Sequence, residues 1–225
     1  NFAIMGGGFG RRLRSDFAVE AVQVAKELDK PVQVLWERTD DIRYEAYRPA
    51  NYHRLTAGWD ETGKLQHWKH HLLTTSVAAM YNRPPSGTET GGGFDKTFWY
   101  DIPNVQTAYT GVDININRSW LRGVSHVVNV FASESFIDEI ARKLKKDPLQ
   151  FRLSLLEKAA VIESRYGNAV RIQDPARLMG VLKLAAEKIR WQAPRRKNHY
   201  VGIACFAYIN TSSYCAHAVE IEMKA

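Results

Sequence analysis

Met5-Gly6-Gly7-Gly8-Phe9-Gly10-Arg11-Arg12-Leu13-Arg14-Ser15-Asp16 joins a glycine-rich turn to the start of a helix. Phe2, Ala3, Ile4 and Met5 lead into it as a short apolar run, read here as a buried strand that ends in the glycines. Beyond it, Phe17, Val19, Ala21, Val22, Val24, Ala25 and Leu28 recur at helical spacing. They predict a helix over residues 15–28 with Ser15 as its N-cap. Asp29-Lys30-Pro31 stops that helix, and residues 32–36 read as a second strand. A strand, a helix and a strand in that order call for a parallel, right-handed crossover, so the fold class is α/β of the mixed α+β kind.

Working outward, residues 51–59 and 65–75 flank Asp60-Glu61-Thr62-Gly63-Lys64 and predict an antiparallel hairpin. Residues 77–104, with Pro84-Pro85 and Gly91-Gly92-Gly93, read as a long loop, followed by a strand over 105–116. Phe131, Phe136, Ile137, Ile140 and Leu144 predict an amphipathic helix over 128–144. Asp147-Pro148 and Asp174-Pro175 each place a capping carboxylate before a proline whose missing N–H costs nothing at the first helical position. They start helices over 148–158 and 175–189. Residues 195–198 form a polar loop, and 200–223 return to strand character. Residues 1–160 are expected to form a first lobe, and 161–225 a helical connection and the start of a further sheet.

With 225 residues, 45% of them hydrophobic, the chain can bury a substantial core. No apolar run approaches the ~20 residues of a membrane span. Residues 1–5 do not read as a signal peptide; the chain is expected to be a piece of a longer protein. Any export signal would then lie upstream of residue 1, leaving bacterial periplasm and cytoplasm both open. The net charge of +7 admits an anionic partner, but the basic clusters at 11–14, 142–146 and 195–197 are small.

The glycine cluster places backbone N–H groups and a helix N-terminus where they could face an anion. It matches neither nucleotide motif. The dinucleotide fingerprint started from Gly6 needs glycine where Arg11 stands, and the P-loop needs glycine and lysine where the chain has Gly10-Arg11-Arg12-Leu13. A purely structural glycine turn is the plainer alternative. A second turn, Trp120-Leu121-Arg122-Gly123-Val124-Ser125-His126, again sets an arginine and small residues before a helix. Taken alone it reads more simply as a capping Ser125 with Arg122 on the surface.

Taken in order, a larger set of motifs is specific. It comprises 6–12, an Asp16 helix, Lys30-Pro31-Val32 with Trp36, Arg38 and Asp40-Asp41, Tyr47-Arg48-Pro49, then 121–126 with Asn129. Residues 134–139, Asp147-Pro148, Phe151-Arg152 and Leu155-Leu156 complete it. This ordered set resembles the molybdopterin-binding subunit of xanthine dehydrogenase-like enzymes, in detail the isoquinoline 1-oxidoreductase beta-subunit branch. The resemblance implies a molybdenum–molybdopterin cofactor, in its dinucleotide form, that hydroxylates an N-heterocycle or an aldehyde with oxygen from water. It implies iron–sulfur clusters on a small partner subunit, a cytochrome as a candidate electron acceptor, and contacts with the rest of the same subunit. Gly7, Gly8, Phe9 and Gly10 fall on the loop bordering the molybdenum ligands. Arg122 falls on the substrate side, and Gly123, Val124 and Ser125 where backbone approaches the pterin. No direct protein ligand to a metal is expected. Xanthine-oxidising members carry a glutamate where this chain has Leu13, so an apolar heterocycle is expected rather than a purine. The family's catalytic glutamate has no counterpart here; neither Glu220 nor Glu222 has its glycine-rich setting, so the chain alone should not turn over.

Two readings of other classes remain: a basic α+β module that holds nucleic acid or an acidic protein through residues 11–14, and a non-catalytic scaffold. His67, His70 and His71 read as an exposed polar strand rather than a metal site. Glu37, Asp40 and Asp41 with Arg38 and Arg43 read as a surface ion network, and Asp138-Glu139 as a solvated helix face. Cys205 and Cys215 read as buried, inert thiols, and the six tryptophans as core or edge packing.

Overall fold

A computed structural model describes residues 4, 6–85, 89, 99–166, 169–208 and 212–224. The expected strand at 2–5 and the glycines at 91–93 lie outside them, apart from Ile4, which is exposed. The architecture is mixed α/β. Helices are α1 (Asp16–Leu28), α2 (Arg38–Tyr44), α3 (His126–Lys143), α4 (Pro148–Leu156) and α5 (Pro175–Lys188). Strands are β1 (Asn51–Trp59), β2 (Leu65–Thr74), β3 (Asn104–Gly111), β4 (Ile162–Tyr166), β5 (Ala169–Gln173), β6 (His199–Tyr208) and β7 (Ser213–Glu222). β2 is central to a three-stranded sheet, antiparallel to β1 and parallel to β3, while β4–β5 and β6–β7 are antiparallel pairs.

Local chemistry accounts for most of these elements. Asp60 folds back on its own turn, accepting from the backbone N–H groups of Thr62 and Lys64 and from the Thr62 hydroxyl, and so closes the β1–β2 hairpin. Those donors hold its carboxyl down at about 2. The Asp147 carboxylate caps α4 through the Gln150 N–H, and Asp174 caps α5 through Ala176. Residues 31–37 carry no regular secondary structure, so the strand expected over 32–36, and with it the strand–helix–strand crossover, is not found among the described residues. None of α1 is buried, and Val22 and Leu28 stand more than half exposed on its apolar stripe.

The core lies where β2, α3, α4, α5 and β6 meet, around Trp68, Ile137, Leu156, Leu178, Leu182 and Ile203. Glu134, 4% exposed, is its one buried carboxylate with a fully buried cationic partner among the described residues. Arg152 donates to it from Nε at 2.9 Å, Tyr100 from its hydroxyl at 2.8 Å, and Cys205 from its backbone N–H at 2.9 Å. Arg152 also bonds Asp138, so Asp138 is not on a solvated face as expected; only Glu139 is exposed. Arg152 reaches across from α4, which periodicity along α3 alone cannot reveal. Burial, then Glu134, pushes the Cys205 thiol up. Cys215, on the other face of the β6–β7 pair, is exposed, which corrects the expectation of two buried thiols. Consecutive strand positions alternate faces, and 205 and 215 pair one residue out of step.

The histidine reading also needs correction. His70 is 1% exposed and alternates along β2 with buried Trp68, Leu72 and Thr74, so its face is the core face. Its Nε2 lies 2.8 Å from Nδ1 of His53. Burial first, then His53 and His71, depress His70 to about 4, and burial lowers His53 too. Unfolded, these rings titrate at about 6.5. The unfolded chain therefore binds the extra proton between pH 6.5 and about 4, and stability falls as pH drops through that window. The His70 shift corresponds to roughly 3 kcal/mol. A urea midpoint that declines over this range in the parent, and much less in His70→Gln, is the expected result; parallel declines would show that the pair is not responsible.

Candidate functional site

The two glycine turns, more than a hundred residues apart in sequence, touch. Residues 11–13 form a single 3-10 turn, opened by the bond from the Arg11 N–H to the Gly8 carbonyl at 3.0 Å. Phe9 (φ +49°) and Gly10 (φ +94°) are both left-handed. Gly10 lies against the Trp120–Leu121 peptide: a Cβ there would overlap the Trp120 carbonyl oxygen and come within 3.1 Å of the Leu121 nitrogen. The Arg122 guanidinium sits 5.5 Å from the centroid of the Phe9 ring, and Phe9 is 70% exposed. Gly7 and Arg122 are exposed, and Gly8, Gly10, Gly123, Val124 and Ser125 are partly buried.

The second turn is also left-handed, at Gly123 (φ +81°) and Val124 (φ +44°), and it feeds directly into α3. Ser125 does not cap α3 with its side chain, contrary to the simple reading of the motif. Its backbone is already helical at φ −69° and ψ −22°, whereas a side-chain cap requires an extended residue. Val124 donates to the Leu121 carbonyl and His126 to that of Gly123. Among the described residues, no acceptor takes the N–H groups of Arg122, Gly123, Ser125, Val127 or Val128. A left-handed turn followed by a helix start thus leaves several peptide donors open at the positive end of the α3 dipole.

The sequence reading missed what braces this turn. Arg48 donates from Nη1 to the Val124 carbonyl at 2.7 Å and from Nη2 to the Arg122 carbonyl at 3.0 Å. Just before it in the chain, the Tyr47 N–H bonds the Asn117 carbonyl and the Ser119 N–H bonds the Tyr47 carbonyl. Arg118, 4% exposed, donates from Nε to the Ser76 carbonyl, and Trp120 stacks on Tyr81 with ring centroids 4.8 Å apart. Tyr47-Arg48-Pro49 was visible as a motif, but nothing in its spacing assigns the arginine to carbonyls 74 and 76 residues away.

The basic cluster is not a free positive face. Arg11 is engaged by Asp16 and Glu45, and Arg14 by Asn117 and Asp16. Burial would lower Arg11, but its hydrogen bonds to those two carboxylates outweigh this and raise it. Among the described residues, no three His, Cys, Asp or Glu side chains cluster as a metal-ligand set, and no helix is long and apolar enough to cross a membrane.

The model of the molybdopterin cofactor-binding domain matches residues 2–155, so it covers both turns. The chain belongs to that family. As a molybdopterin cofactor-binding domain it is 31% identical over 158 residues to the isoquinoline 1-oxidoreductase subunit beta of Brevundimonas diminuta, across 68% of this chain and 20% of that protein. It is 28% identical over 202 residues to a protein of Gluconacetobacter polyoxogenes named membrane-bound aldehyde dehydrogenase (pyrroloquinoline-quinone), across 84% of this chain and 26% of that one. Quinoline 2-oxidoreductase from Pseudomonas putida 86 shares its fold, with a TM-score of 0.64 at 17% identity over 89% of this chain and 27% of that chain. The chain spans about a fifth to a quarter of the length of the curated relatives it matches.

The residues fit the group that the family binds. A pterin with its phosphates is bulky and anionic. The two turns offer side-chain-free backbone at Gly7, Gly10 and Gly123, open peptide N–H donors, and the Arg122 cation.

Proposed function

We propose that this chain supplies one wall of the cofactor site in a molybdenum hydroxylase that oxidises an N-heterocycle or an aldehyde. The contact of Gly10 with the Trp120–Leu121 peptide carries this reading, because it makes one surface of two glycine turns. In this reading the backbone of Gly7, Gly8, Phe9 and Gly10 borders the molybdenum side, and the N–H groups of Gly123, Val124 and Ser125 face the pterin. Arg122, held over Phe9, is the cation on the substrate side. When bound, the cofactor in its dinucleotide form supplies a two-electron acceptor for a substrate carbon, with water as the source of oxygen. In the complete enzyme, iron–sulfur clusters on a small partner subunit, and an acceptor such as a cytochrome, would take up the electrons. The general base comes from elsewhere in the same subunit, so the chain does not turn over by itself. Leu13, 71% exposed beside the first turn, favours an apolar ring over a purine.

The test is to purify the complete complex and assay metal, pterin and turnover. Stoichiometric molybdenum with a pterin, and oxidation of quinoline or benzaldehyde that takes heavy oxygen from labelled water, are the expected results. A complex that holds a quinone and no molybdenum would sink the proposal. Salt-sensitive retention of nucleic acid by a metal-free protein would favour the basic-module reading instead.

A further inference from the structure

The structure assigns Arg48 as the positioning residue that aims the Gly123 and Ser125 peptide N–H groups at the cofactor; this rests on the cofactor site proposed above. The argument starts from the peptide unit. In a trans peptide the C=O and the following N–H point in opposite directions within one plane. The Arg122 carbonyl shares its plane with the Gly123 N–H, and the Val124 carbonyl shares its plane with the Ser125 N–H. Arg48 grips both carbonyls, with its two terminal nitrogens at 2.7 and 3.0 Å. The guanidinium therefore fixes two peptide planes from behind and turns both N–H groups away from itself.

Two observations and one electrostatic consequence give this clamp a purpose beyond holding a loop. The two N–H groups find no acceptor among the described residues, so they are not satisfied within the turn. Gly123 and Val124 hold left-handed conformations that a flexible turn leaves readily, the glycine because it adopts others as easily and the valine because this one is strained. A cation on the carbonyl side polarises each peptide and makes its N–H a stronger donor to an anion on the far side. A lysine cannot replace the clamp, because one ammonium lacks the rigid fork that spans two carbonyls. The brace is itself fixed, because the backbone beside Arg48 is hydrogen-bonded to the segment that runs into the turn, through Tyr47 with Asn117 and Ser119.

The test uses the complete subunit with its partners, carrying Arg48→Met or Arg48→Lys. Molybdenum content, melting temperature of the cofactor-free form and hydrogen exchange across residues 121–125 are read for each. The cofactor-free form comes from cells that cannot make the pterin. Arg48→Met is expected to retain cofactor about tenfold less well, with the melting temperature of its cofactor-free form unchanged. Arg48→Lys is expected to fall between the two. In the parent, exchange at Gly123 and Ser125 slows when cofactor is present. Full molybdenum retention in Arg48→Met overturns the assignment while leaving the cofactor reading intact. Equal exchange with and without cofactor in the parent overturns it even if the variants fail to fold. A parent complex without molybdenum overturns both.

Discussion

Gly10→Val, introduced into the complete subunit, yields a folded protein that retains no molybdenum. Two effects coincide at this position. Gly10 sits at φ +94°, where a β-branched residue is severely strained, and its Cβ would overlap the Trp120 carbonyl oxygen. Backbone on backbone leaves no flexible side chain to give way, so the two turns must part. Separation moves Phe9 from under Arg122 and breaks the surface that both turns share. Folding survives, because residues 6–13 lie outside the core that Trp68, Ile137 and Leu182 organise. Metal analysis alongside a melting curve checks the result. A Gly10→Val protein with the parent's molybdenum content would show that the contact between the turns is not part of the cofactor site.

Glu134→Ala should have the largest effect on stability. It removes the carboxylate that satisfies the Tyr100 hydroxyl and the Cys205 N–H and neutralises the fully buried Arg152. Arg152 keeps Asp138 and two backbone carbonyls, yet a guanidinium with no exposure has lost its nearest buried counter-charge. Breaking one partner out of such a pair costs roughly 3–5 kcal/mol. Exchange of α3 and α4 amides that open only on unfolding should then accelerate about a hundred- to several thousandfold. Glu134→Gln keeps an acceptor for Tyr100 and should cost less. If Glu134→Ala proves as stable as the parent, the network serves specificity of packing and contributes little to stability. The double variant with Arg152→Met separates these cases: a smaller loss than in either single variant locates the cost in the orphaned charge.

The helices were legible because their signals are local. The Asp-Pro pairs at 147–148 and 174–175 fixed two helix starts, and Asp60 with Gly63 fixed a hairpin. The strands β4 and β5 and the helix α2 were missed. Both strands are only five residues long, and the seven residues of α2 carry charges that read equally well as a surface network. A capping box does stand there, in which Glu37 and Asp40 answer each other's backbone, but aspartate at the third position is a weaker signal than glutamate. His70 could have been read better, since Trp68 and Leu72 at two-residue spacing mark its face as the buried one.

Pattern along the chain determined the mixed class, most helix starts and the two turns that merit attention, because capping, periodicity and glycine content act over a few residues. Only folding decided that those turns meet, that Arg48 braces one of them, and that Glu134 and Arg152 share the core. Each of these depends on groups brought together across 18 to more than a hundred residues, and their distance and burial set the energy. No sequence interval encodes such a quantity, since it arises only once the chain has closed on itself.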